Sequence, residues 1–136
     1  MIQSRFIVEA QGKPESFVDS TLKKHIEKMK GVKGIEIYDI KQEPTEKMDE
    51  GYFSALADVG IRCQDFEVFV AALIGFAPTA VIVEEPKTVE VDIRELQNIS
   101  NDLVQIFHAF AQANAQLRMK LKDRGKGKKL VVKPGE

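Results

Sequence analysis

"YFSALADVGI", residues 52–61, carries an unbroken two-residue period. Phe53, Ala55, Ala57, Val59 and Ile61 fall on one side of it, and Tyr52, Ser54, Leu56, Asp58 and Gly60 on the other. Successive side chains of a strand point to opposite faces, so this is a strand with one face against a core. Just upstream, "GIEIYDIKQE" (34–43) reads as a second strand, closed by Pro44 and the charged "TEKMDEG". The connection is short enough for a hairpin. Just downstream the period changes. Asp65 caps a helix whose stripe is Phe66, Phe69, Val70, Leu73 and Ile74, and Gly75 is its stop.

The flanks complete a pattern. "RFIVEA" (5–10) is a strand with Phe6, Val8 and Ala10 facing one way, broken by Gly12 and Pro14. Residues 15–30 form a helix with Val18, Leu22, Ile26 and Met29 as its apolar stripe and Gly31 as its end. "TAVIVEE" (79–85) is a last strand, stopped by Pro86. The order is strand, helix, strand, strand, helix, strand. That is the ferredoxin-like split βαβ arrangement, an α+β fold with a four-stranded antiparallel sheet and two helices on one face. "GFAPTAVIVEEP" (75–86) is then the second crossover and not a ligand-binding turn. Glu84 and Glu85 are neighbours on a strand, so strict alternation sends them to opposite faces.

The last third adds a helix to this fold. "DIRE" (92–95) has the form of a capping box. Behind it Leu96, Ile99, Leu103, Ile106, Phe110, Ala113 and Leu117 repeat at spacings of three and four. A helix over 92–122 would span roughly 45 Å, against roughly 20 Å for the width of a four-stranded sheet. Part of the seam should therefore outrun its own domain. The flanking positions Ser100, Phe107, Asn114, Leu121, Asp102, Ala109 and Gln116 lack the complementary charges of a parallel zipper. We expect this helix to cover the open sheet face and to contribute a homodimer contact through those seven residues. The expected organisation is one domain over 1–124 and a basic, flexible tail over 125–136, with a short edge strand in "KLVVKP" (129–134) as the alternative for the tail.

Charge is divided along the chain. Residues 118–136 carry a net charge of +6 and the rest −7, which sum to the overall −1. Lys120, Lys122, Arg124, Lys126, Lys128 and Lys129 form a candidate polyanion site, and nucleic acid is the partner such a cluster would take. A sheet-based RNA platform fits poorly. "EGYFSALADVGI" lacks the basic residue before the glycine and the later aromatics, and Phe6 faces inward. Regulatory domains of the ACT type share the topology and bind small molecules near the first turn, here "AQGKPE" (10–15), an analogy at the level of the fold alone.

The chemistry excluded is broader than the chemistry suggested. There is no apolar run long enough for a transmembrane helix and no signal segment at the N-terminus. One cysteine, Cys63, allows no internal disulfide and fits a cytoplasmic protein. His25 and His108 have no second ligand at metal-binding spacing, so neither metal nor cofactor is expected. "GKGKK" (125–129) lacks the P-loop spacing. Asp39, Asp58 and Glu9 should share the outer sheet face, with Arg5 near Glu9, as solvated positions or ion pairs. The expectation is a non-catalytic, oligomeric binding or regulatory domain; its abundance of lysine over arginine leans toward a thermophile.

Overall fold

The computed structural model describes the backbone of residues 1–132 and the side chains of residues 1–124. The chain is α+β: a five-stranded antiparallel sheet and three α-helices, the last of them long. In order these are β1 (Ile2–Gly12), α1 (Glu15–Lys30), β2 (Ile35–Gln42), β3 (Glu46–Lys47), β4 (Phe53–Cys63), α2 (Phe66–Phe76), β5 (Ala80–Glu85) and α3 (Ile93–Val132). The sheet runs β2–β4–β1–β5, with the two-residue β3 added beside the start of β4. The chain divides into two compact units, one from Met1 to Glu95 and one from Leu96 onward.

In the first unit the two-fold period sets the core. Phe6 lies opposite Val59 and Val8 opposite Ala57, so the inward faces of β1 and β4 merge into one apolar surface. Val18, Leu22, Ile26 and Met29 of α1 are all buried in the same core. Each such side chain contributes about 1.5–3 kcal/mol when fully buried. Gly31 ends α1 in a right-handed conformation, its N–H donating to the Lys28 carbonyl and the next N–H, of Val32, to that of Met29.

Helix α2 departs from expectation in its face and its end. Val68, Phe69, Ala72, Leu73 and Phe76 meet the core, whereas Phe66, Val70 and Ile74 do not join it. Apolar residues surround this helix on nearly every side, so periodicity cannot select one stripe. The Asp65 cap is as expected, its carboxylate accepting from the Val68 N–H at 2.9 Å. Gly75 lies inside the helix, and the stop is Ala77 in the left-handed region (φ 43°), followed by Pro78, which has no N–H.

Two β-bulges break the expected alternation. In β2, Ile37 pairs with Ile61 and Asp39 with Gly60, so Tyr38 and Asp39 together oppose one residue. In β5, Gln3 pairs with Glu85 and Ser4 with Val83, which leaves Glu84 as the extra residue. A bulge re-aims the side chains around it, and both of these border the outer face of the sheet.

The long helix begins at its expected cap, with Asp92 Oδ1 accepting from the Glu95 N–H at 2.8 Å. It runs to Val132 and so ends ten residues beyond the expected Lys122. Gly125 and Gly127 are helical, and residues 129–132 are not the alternative edge strand. A glycine in a helix costs only about 1 kcal/mol, and the lysines around these two are good helix formers. Residues 133–136 lie outside the described residues.

Candidate functional site

The outer face of the sheet carries a cluster drawn from all four long strands. Arg5 of β1 donates from Nε to Asp58 Oδ1 at 2.6 Å and from Nη2 to Asp39 Oδ2 at 2.8 Å. The Arg5 side chain is only 13% exposed, so both ion pairs are partly shielded from solvent. The Asp58 hydrogen bond, followed by Asp39, holds the guanidinium's pKa above its ordinary value.

Tyr38 lies across this cluster. Its ring passes over Gly60, where a side chain would collide with it. The Arg62 guanidinium sits 4.3 Å from the ring centroid and that of Arg5 5.8 Å. The hydroxyl reaches Glu84 on the far strand and donates to its carboxylate. That hydrogen bond keeps Glu84 below its usual range, while burial and then Glu84 itself push the Tyr38 phenol up. Gln3 adds a 3.4 Å contact to Glu84, and Arg62 donates to Gln3 and to Glu36 at 3.0 Å each. Arg5 and Arg62 are paired with carboxylates, whereas Glu84 is held by two neutral donors, Tyr38 and Gln3, so that the cluster ties the four strands together across the outer face.

A second site lies where β1 outruns β5. Ala77 and Pro78 turn the chain away from the sheet, and it rejoins only at Thr79, whose N–H and Oγ1 both donate to the Ile7 carbonyl. Ala80 then pairs with Ile7, the last residue of β1 that β5 reaches. Beyond it is a cavity of about 420 Å³, lined by Val8, Glu9, Ala10 and Gln11 of β1 and by Thr21, Leu22, Lys24, His25 and Lys28 of α1, and closed at one end by Phe76 and Ala77. Gln11 Nε2 donates to Glu9 Oε1 at 2.7 Å.

The residues singled out in the sequence are dispersed over the molecule. Asp39 and Asp58 come together as expected, but Arg5 bonds them and not Glu9, because the β1–β4 register sets Arg5 beside Gly60. His25 Nε2 lies 3.0 Å from the Phe76 carbonyl, an acceptor, so the proton sits on Nε2. That contact satisfies one of the carbonyls a helix end leaves open. Cys63 is buried, and desolvation, aided by the charge of Asp65, pushes its thiol up to about 11. Such a thiol is a poor nucleophile. His108 is exposed on α3. Among the described residues no group of acidic, histidine or cysteine side chains could hold a metal ion.

Leu96, Ile99, Leu103, Ile106, Phe110, Ala113 and Leu117 all lie on α3. Leu96, Ile106, Phe110 and Leu117 are exposed, Leu103 is intermediate, and Ile99 is buried. Lys120, Lys122 and Arg124 are exposed near the end of its described side chains. Lys126, Lys128 and Lys129 continue the helix backbone, and their side chains lie outside the described residues. Tyr38, Arg62 and the free end of β1 were not singled out in the sequence, and Glu84 only as a strand neighbour of Glu85. The glycine within "LADVGIR" is the one signal that could have pointed to Tyr38, since an isolated glycine in a strand marks a close approach.

The model of the MJ0538 family matches residues 3–128. The chain belongs to that family. The MJ0538 family match takes in nearly all of the sheet, both shorter helices and most of α3. No curated protein and no solved structure matches the chain. No helix among the described residues is long and apolar enough to cross a membrane.

Proposed function

We propose that this MJ0538 family member is a non-catalytic binding or regulatory domain of ferredoxin-like topology that self-associates through α3 as a cytoplasmic homodimer. The topology is supported by the strand order β2–β4–β1–β5, antiparallel throughout. Non-catalytic character is supported by the state of the reactive groups. Arg5 neutralises Asp39 and Asp58, a backbone carbonyl engages His25, and the Cys63 thiol is buried.

Self-association rests on one observation above the others. α3 is 40 residues long, about 60 Å at 1.5 Å per residue, and among the described residues no second element joins it in its unit. A helix with apolar residues repeating at three and four needs a partner surface to bury them. Leu96, Ile106, Phe110 and Leu117 are exposed, and a second copy offers the matching repeat. Light scattering on the intact chain and on Phe110→Glu tests the reading. A dimer that becomes a monomer on substitution supports it, and an intact chain that stays monomeric at every concentration overturns it.

The basic end of α3 favours a second reading, a nucleic-acid-associated protein acting through Lys120, Lys122, Arg124, Lys126, Lys128 and Lys129. Phosphate contacts of this kind weaken steeply with salt. Binding to a DNA duplex that falls with salt and disappears on charge reversal of Lys120, Lys122 and Arg124 would favour the tail. Binding unaffected by either change would dismiss it.

A further inference from the structure

In an antiparallel ladder the N–H and C=O of one residue point to the same side, and the side alternates along the strand. Ile7 presents its carbonyl to Thr79 on the β5 side, so Glu9 and Gln11 present their backbone groups to that side as well. β5 pairs with Ile7 and reaches no further. Two donors and two acceptors in ladder spacing therefore open onto the 420 Å³ cavity beside α1. An unpaired row of this kind is a template for another strand.

We propose that this edge accepts an extended acidic segment of a partner protein, which continues the line of β5 along residues 8–12 of β1. Five residues of strand span about 17 Å. Backbone groups supply the attachment, and alternate side chains supply the choice of partner. Side chains on the inner side of the added strand meet Lys24 and Lys28, which lie one turn apart on α1. The carboxylate in the lining, Glu9, already accepts a hydrogen bond from Gln11. The balance of charge in the groove favours carboxylates on alternate residues of the incoming strand. Val8, Ala10, Leu22 and Phe76 give its aliphatic parts an apolar floor.

The test uses the full chain and two blocked peptides, acetyl-Thr-Glu-Val-Glu-Thr-amide and the same peptide with lysine for glutamate. Binding is followed through the backbone amide signals and their hydrogen exchange. The acidic peptide is expected to shift the Glu9 and Gln11 amides and slow their exchange, and the basic one to bind at least tenfold more weakly. Lys24→Glu with Lys28→Glu should weaken the acidic peptide at least tenfold. Gln11→Pro removes an edge N–H that β4 does not use, and should also abolish binding with the fold intact. Should that variant fail to fold, the lysine pair decides. Equal binding of both peptides, or shifts confined to other residues, overturns the proposal. So does free glutamate reproducing the same shifts, which would mark a small-molecule site. Slow exchange of Glu9 and Gln11 that grows with protein concentration alone would assign the edge to a second copy and overturn it as well.

Discussion

At Gly60 a single missing side chain decides how the outer face is built. A Cβ there would lie 2.6 Å from Cζ and 2.8 Å from Cε2 of Tyr38, and 3.0 Å from Nη1 of Arg5. Gly60→Ala must therefore lift the ring, and should lower stability by about 1–3 kcal/mol in urea unfolding. In a Tyr38→Ala background the same substitution should lose most of that cost, a coupling of about 1 kcal/mol or more. Additive effects would show that the ring does not rest on Gly60. The same ring makes the protein sensitive to acid. The folded pKa of Glu84 lies below its unfolded value, so its contribution is present above the ordinary glutamate pKa of about 4.3. It is lost as pH falls through the lower, folded value. Tyr38 has the opposite sign, since its folded pKa is raised. Its contribution is present below about pH 10 and lost as pH rises through the folded value. Urea midpoints between pH 2 and 6 should fall less steeply for Tyr38→Phe than for the natural chain. Arg5 shows why such a cluster is only half legible in sequence. Alternation places Arg5 and Asp58 on one face, but Asp39 has the parity of the inward Ile35 and Ile37 and joins that pair only through the bulge. The partner of Arg5 also depends on strand register, which pattern alone does not fix.

Among the elements, the two shorter helices differ in how plainly their residues declare them. α1 has polar residues around a narrow apolar stripe, and Val18, Leu22, Ile26 and Met29 are buried as the spacing predicts. α2 is apolar nearly all round, so its spacing permits several faces and the core chooses Val68 and Ala72 over Val70 and Ile74. Its end is held from α1. His25→Ala would leave the Phe76 carbonyl without this donor and remove a ring that lies 5.9 Å from that of Phe76. We expect a loss of about 1–3 kcal/mol in thermal or urea unfolding, and an unchanged midpoint would remove His25 from this role. The strands follow the same logic. β1 and β4 obey a two-residue period throughout and were legible. The bulges at Tyr38 and Glu84 each add one residue to a register, which no local pattern announces. The free end of β1 depends on where β5 starts, and that depends on the left-handed turn at Ala77.

For the whole molecule the dominant fact is the division between an α+β unit and a single long helix. The first unit has a core of its own, whereas the described part of the second is helix alone, and the self-association proposed for α3 predicts mass action in unfolding. Because association stabilises whatever form it binds, the melting temperature should rise with protein concentration, by several degrees over a hundredfold range. A concentration-independent melt would separate the seam from stability. The helix and its cap were legible, since both are local patterns, but the length of α3 was not, because two glycines resemble a stop. The chain also contains no tryptophan and two tyrosines, so its ultraviolet emission, beyond the weak contribution of phenylalanine, comes from Tyr38 and Tyr52. A phenol hydrogen-bonded to a carboxylate emits weakly, because the excited ring gives up its proton to that acceptor. Tyr38 should therefore be dark while it reaches Glu84 and bright once it lets go, which makes the outer face of the sheet its own optical reporter.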